Sequence, residues 1–353
     1  MRRAAAAFPL LIPALLALFL AACGRPAPHR QESFVFGTRV EILVAGVDEA
    51  RARPAAAAVL REFDRLHRTY HAWRPSELSG LNDALAAGKT LDVTPEMAAL
   101  LADAKRLSVL GDGLFDPGIG RLIAAWGFQS DEFQAALPDP AFLADWRAHR
   151  AGIADLLIDG QRVGSRSRRV AIDLGGYLKG YALDRAAAIL REHGVHDALI
   201  NIGGNILALG SKNGEPWSVG IQHPRRPEPL ATLQLHDGEA IGTSGDYQRF
   251  FELDGKRYCH LLDPRSGEPA AHTQALTVLI PPQAGAGTLS DAATKPLFIA
   301  GGRWPELAGK LGVDRVLRVD AAGNVAVSPR MRARLEFAAG IPQPEEVPLP
   351  AAQ

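Results

Sequence analysis

No part of this chain is more constraining than Thr243 to Gly267, TSGDYQRFFELDGKRYCHLLDPRSG. Asp254-Gly255 sits between two runs rich in aromatic and apolar residues, Tyr247 to Leu253 and Lys256 to Leu262. That pattern is the signature of a two-residue hairpin turn, because glycine accepts the left-handed backbone at little cost. A hairpin turning there brings its open ends together. Thr243, Ser244, Gly245 and Asp246 then lie beside His260, Asp263 and Pro264, so hydroxyls, carboxylates and an imidazole converge. Read alone, the stretch fits ordinary turn chemistry better than a site, since Asp-Pro and Ser-Gly are common turn dipeptides.

The N-terminus is of another kind. Arg2-Arg3, the apolar run Ala4 to Leu20 and the small-residue sequence ending in Cys23 resemble a bacterial lipoprotein signal over residues 1–22. The apolar run is short for a membrane span. Such a signal implies a mature chain that begins at Cys23, with lipid on that residue anchoring it to a membrane at the periplasmic face, inner or outer. A polar tether to residue 32, a folded domain over 33–340 and a proline-rich, charged, disordered tail over 341–353 complete the expected organisation. Lys plus Arg equals Asp plus Glu, 39 against 39, so no basic footprint argues for a nucleic-acid partner. With lipid on Cys23, the other cysteine, Cys259, has no internal disulfide partner.

Along the domain, residues 33–44 read as one strand in which Gly37 marks a bulge or a close approach. Residues 54–70 read as a helix, with Ala55, Val59, Phe63 and Leu66 at helical spacing. His67 and His71 are four apart, but nothing nearby completes a metal site, and they read as surface or helix-end residues. Asp116-Pro117-Gly118 breaks the chain into a turn and leaves the Asp116 carboxylate at a loop edge. In VAIDLGGYLKGYAL, residues 170–183, a short strand reaches Asp173, Gly175-Gly176 lets the backbone approach a ligand, and Lys179 falls in the first helical turn. Strand, glycines, helix N-terminus and lysine suit an anionic phosphate, and a plain glycine-rich turn fits equally. Residues 198–209 read as strand, Gly203-Gly204 turn and strand. Residues 288–300 start a helix carrying Asp291, which Pro296 is expected to end or kink.

Taken in order, FGT, TYHAWRPSELSGLN, GLFDPGIGRL, DLGGYLKGYA, INIGGN, WSVGIQHP, TSGDYQRFFELDGKRYCHLLDPRSGEP and SDAATKPLFIAG resemble the FAD:protein FMN transferase (ApbE) family, from Phe36 to about Gly301. The resemblance implies an α+β fold of two lobes, with FAD in the cleft between mixed, largely antiparallel sheets and flanking helices. It implies transfer of FMN from FAD to a Thr or Ser hydroxyl of a target flavoprotein, with AMP leaving and Mg²⁺ assisting. Hydrolysis of FAD to FMN and AMP, or non-catalytic flavin binding, are the alternatives.

On this resemblance His260, in H-x-x-D-P, is the general base, and its ordinary pKa of about 6.5 suits the task. Asp246 or Asp263 orients it. Phe36, Tyr70, Phe115, Asp116, Asp173, Lys179 and Leu262 fall at FAD-contacting positions, with Tyr70 stacking on a flavin nucleotide ring. The metal position combines the Gly176 carbonyl, Asp291 and a threonine four residues later, but position 295 is Lys and Thr294 comes one residue early. Either Thr294 and backbone oxygens complete a Mg²⁺ shell, or Lys295 supplies the positive charge itself. Phe36 stands where the family commonly has methionine, and Gly80 where arginine is common.

A serine-hydrolase reading of Ser244, His260 and Asp263 lacks the G-x-S-x-G spacing that exposes a nucleophile. Cys259 is adjacent to His260 on a strand and so points to the opposite face.

Overall fold

The structure, a computed structural model, describes residues 27–130 and 135–350. Cys23 and its leader lie outside the described residues. Two hairpin strands, β1 (His29–Val35) and β2 (Thr38–Ala45), lead into the helices α1 (Glu49–Thr69), α2 (Glu77–Ala86), α3 (Pro95–Leu110), α4 (Gly120–Ala125), α5 (Pro140–Ala148) and α6 (Leu178–Glu192). The chain continues through β3 (Asp197–Ile202), β4 (Asn205–Leu209), β5 (Ala240–Gly245), β6 (Thr273–Ile280), α7 (Ala286–Ile299), α8 (Trp304–Lys310), β7 (Val316–Asp320), β8 (Val325–Val327) and β9 (Glu345–Glu346). These nine strands form one sheet in their order along the chain. Every neighbouring pair is antiparallel except β8 and β9.

The period-two alternation of the strands sorts their side chains onto two faces. Val40, Ile42 and Val44 of β2, with Ile200 of β3 and Val278 of β6, meet Val59 and Phe63 of α1, Leu183 and Leu190 of α6, and Leu297 and Phe298 of α7. The opposite face, with Leu199, Ile206, Ile241, Leu279 and Leu317, is covered by a three-stranded sheet of Trp217–Gln222, Pro229–Leu235 and Glu336–Phe337. A third, smaller core joins Leu122, Trp126 and Phe128 to Trp146 of α5 and to Phe251 and Leu262, and forms the second lobe. The hairpin Phe250–Leu253/Lys256–Cys259 belongs to that lobe and springs from the end of β5. Its turn residues Asp254 and Gly255 have φ of 52° and 73°, as the Asp-Gly pair requires.

Several sequence expectations are corrected. Residues 33–44 are not one strand with a bulge, because Phe36 and Gly37, with φ of 57° and 68°, close a two-residue hairpin. The first strand begins at His29, inside the expected tether, because backbone pairing to β2 and the ion pairs Arg30–Glu41 and Arg39–Glu32 hold an edge strand that has little apolar content. The first helix starts at Glu49, capped by Asp48, and runs through Pro54. Pro296 does not end α7 at its own position either, since burial of Leu297, Phe298 and Ile299 outweighs the lost hydrogen bond. The tail is not disordered as far as it is described. Glu345 and Glu346 pair with β8, the Val347 N–H donates to the Val327 carbonyl at 2.9 Å, and Leu349 packs on the main core.

Candidate active site

Three elements meet around one group of polar side chains: the N-terminus of α6, the middle of α7, and the end of β5 with the hairpin that follows it. Close backbone approach brings them together. A Cβ on Gly180 would lie 2.3 Å from the Gly287 carbonyl oxygen, and one on Gly242 would lie 2.1 Å from the Ser290 oxygen, so α6 and β5 both press directly on α7. Asp184 of α6 locks the contact by accepting from the Gly287 and Thr288 amides, each at 2.8 Å, and so capping the start of α7.

On that frame α7 carries Asp291, fully buried, and Lys295 one turn later. The Lys295 ammonium donates to the Asp291 carbonyl at 2.8 Å and pairs with Asp291 Oδ1. Asp291 Oδ2 accepts the Gly180 N–H at 3.0 Å. The Thr294 hydroxyl donates to the Asp291 carbonyl and shares a hydrogen bond with Ser244, both at 2.7 Å. Burial pushes the Asp291 carboxyl up, but the ammonium groups of Lys295 and Lys179 outweigh it and hold the group below its ordinary range. Burial likewise pulls Lys295 down to about 8 against the attraction of Asp291.

His260 faces the same space. Desolvation, followed by the Arg249 guanidinium and then Lys179 and Lys295, lowers its imidazole to about 3, so it is neutral at physiological pH. The textual expectation of an ordinary pKa is corrected: the site is desolvated and cationic, and both conditions disfavour imidazolium. Neither aspartate orients the ring. Asp246 is held by both Nη atoms of Arg225, at 2.7 and 2.6 Å, and Asp263 by Arg265, while His260 Nδ1 lies 3.1 Å from the Arg249 carbonyl. A backbone acceptor fixes the tautomer that donates from Nδ1 and leaves the Nε2 lone pair available.

The remaining expected residues divide. Lys179 and Asp173 lie at the α6 end of the cleft, where Asp173 accepts from the Gly175 amide at 2.8 Å and from the Trp73 indole at 3.1 Å. Phe36 begins a half-buried row, Phe36, His67, His71 and Trp73, whose successive rings meet edge to face 5.1–5.8 Å apart. Those histidines are therefore part of an aromatic row. Tyr70, only 2% exposed, donates to Glu96 at 2.9 Å, so its ring has no open face for a flavin. Phe115 and Leu262 are core residues, and the Asp116 carboxylate accepts the Gly118 and Ile153 amides at 2.7 and 2.8 Å. Burial raises Asp116 to about 6 despite those bonds. Trp73 and Arg249, which sequence reading did not single out, stand at the cleft, with the guanidinium 5.8 Å from the indole centroid. Their signal was weak: each lies inside a quoted motif, an aromatic and a basic residue with nothing local to single it out. Cys259 is buried, its thiol pushed up to about 11.

The donor set does not fit a divalent cation. The Lys295 ammonium already bonds the Asp291 carbonyl oxygen and Oδ1, and its stem passes 3.2 Å from where a Gly176 Cβ would stand. Among the described residues no cluster of three or more His, Cys, Asp or Glu side chains is placed to hold a metal.

Residues 36–317 match the model of the ApbE family. The chain belongs to the ApbE family. An FAD:protein FMN transferase of Rhodobacter capsulatus is 41% identical over 317 residues, covering 89% of this chain and 60% of that relative's own length. An FAD:protein FMN transferase of Treponema pallidum is 33% identical over 308 residues, covering 79% of this chain and 81% of that relative. Among solved structures, the ApbE protein of Thermotoga maritima superposes with a TM-score of 0.79 at 30% identity, covering 87% of this chain and 99% of that one. The flavin transferase ApbE of Vibrio cholerae gives a TM-score of 0.75 at 25% identity, covering 88% and 100%.

Proposed function

We propose that this chain is an FAD:protein FMN transferase, which moves FMN from FAD onto a Thr or Ser hydroxyl of a target flavoprotein and releases AMP. The observation that carries the reading is the convergence of a neutral His260 with Lys179 and the Asp291–Lys295 pair on one cleft. Named relatives with this activity support it.

Each residue has a task in the transfer. Lys179, in the first turn of α6, adds its charge to the positive end of the helix and holds the FAD diphosphate. The aromatic row from Phe36 to Trp73 offers ring faces to the flavin or adenine, with Trp73 in the role the resemblance gave to Tyr70. His260 accepts the hydroxyl proton as the acceptor oxygen attacks the FMN phosphorus. The new bond is oxygen to phosphorus, the bond that breaks joins that phosphorus to the bridging diphosphate oxygen, and AMP leaves on it. Buried beside cationic groups, His260 is a weak base by itself, and the diphosphate's negative charge stabilises the imidazolium as it forms. Water in place of the hydroxyl would give FMN and AMP.

Lipid at Cys23 would hold the enzyme on the periplasmic face of a membrane, where a membrane-bound or periplasmic flavoprotein could reach the cleft. Mass spectrometry of a threonine-containing acceptor peptide incubated with FAD tests the reading. An FMN adduct that His260→Ala reduces by about 10²–10⁴-fold is expected. FMN and AMP without adduct would make the protein a pyrophosphatase, and intact FAD throughout would leave a flavin-binding protein.

A further inference from the structure

We propose that Lys295 is the resident cation of the transfer site, and that this enzyme neutralises the FAD diphosphate with an ammonium group and works without a divalent metal ion. The proposal rests on the transferase reading above and adds a statement about how the site is charged.

Four observations support it. Lys295 lies four residues after Asp291 on α7, so its side chain returns along the helix face to the carboxylate, an arrangement that holds the ammonium in place. Both Asp291 oxygens are already committed, Oδ1 to Lys295 and Oδ2 to the Gly180 amide at 3.0 Å. The Thr294 hydroxyl turns its proton to the Asp291 carbonyl and shares a hydrogen bond with Ser244, so its proton and one lone pair are engaged. Position 176 is glycine, and a side chain there would meet the Lys295 stem at 3.2 Å, so the glycine-rich turn before α6 leaves the lysine its path.

The geometry also leaves the ammonium something to give. An ammonium has three N–H donors, and two are used on the Asp291 carbonyl and carboxylate. The third remains for a phosphate oxygen. Lys179 supplies a second ammonium on the α6 side, and the fields of both lysines reach Asp291 and His260. With Asp291 ionised, the lysine pair leaves a net positive charge for the diphosphate, without a metal that must be captured and released. A lysine is a compact point charge suited to a phosphate.

Two measurements on the full chain test this. The first is binding of Mn²⁺ by electron paramagnetic resonance, with no flavin or acceptor present. Wild type should bind no stoichiometric Mn²⁺, whereas Lys295→Thr, which removes the ammonium and supplies a hydroxyl, should bind one equivalent. The second is the rate of FMN-adduct formation with EDTA or with Mg²⁺. Wild type should be unchanged by EDTA, and Lys295→Thr should fall by about 10²-fold in EDTA and recover with Mg²⁺. Stoichiometric Mn²⁺ on wild type, or loss of wild-type adduct in EDTA, overturns the proposal without any variant having to fold. If wild type forms no adduct under either condition, the transferase reading fails, and the Mn²⁺ measurement still decides whether Lys295 fills the cation position.

Discussion

His260 is the residue on which the electrostatics of the cleft act most strongly. Its folded pKa, about 3, lies below the ordinary value of about 6.5. The acid limb of kcat/KM, which reports the free enzyme, should therefore fall well below pH 6.5 for this group, and a limb at 6.5 that vanishes in His260→Gln would contradict the assignment. The same shift affects stability. Below about 6.5 the unfolded chain binds a proton that the folded chain refuses, so stability is fully present above that pH and is lost progressively as the pH falls toward 3. Urea titrations at pH 7 and 5 should show wild type losing up to about 2 kcal/mol more than His260→Gln. Equal losses would mean that the imidazole is more solvated than the structure has it. The motif around His260 was legible, since H-x-x-D-P and the Asp-Gly turn are written in the chain. The hydrogen-bond acceptor was not, because a backbone carbonyl has no sequence signature and Asp246 was the more conspicuous neighbour until Arg225 claimed it.

At the scale of elements, the site depends on how closely α6 and β5 approach α7. Gly180→Ala would force a methyl against the Gly287 carbonyl and the Thr288 backbone, atoms that cannot rotate away. It should cost about 1–3 kcal/mol and displace Asp291, read as a lower melting temperature together with weaker FAD binding. A melting temperature unchanged from wild type would show that the helices are less tightly apposed. The helix, glycine-turn and hairpin patterns were readable because each has a local cause. Pro54 and Pro296 misled for a physical reason: each removes one hydrogen bond, and the buried faces of α1 and α7 compensate through many contacts that local sequence does not display. Phe36-Gly37 misled because a bulky residue with positive φ is uncommon, and its ring is held by Phe63 at 5.9 Å and His67 at 5.8 Å.

For the whole molecule, a sheet whose strands follow chain order is covered by helices on one face and by a small sheet on the other, and the second lobe hangs from the end of β5. The last described residues close the β8 edge, three strands removed from β5. Deleting residues 344–353 should lower stability by about 1–2 kcal/mol, through lost burial of Val347 and Leu349 and the lost Val347–Val327 hydrogen bond, while leaving FMN transfer intact. A truncated chain as stable as wild type would contradict the docking of that segment. Its composition, rich in proline and glutamate, gave no hint of pairing, since a two-residue strand needs only backbone.

The fate of FAD separates transfer from hydrolysis and from mere binding, and one reaction measures it: the AMP released and the flavin bound covalently to an acceptor protein, counted together over time. Equal amounts of the two, both lost in His260→Ala, are the predicted result. AMP without acceptor-bound flavin, or FAD bound and unbroken, would contradict a transferase.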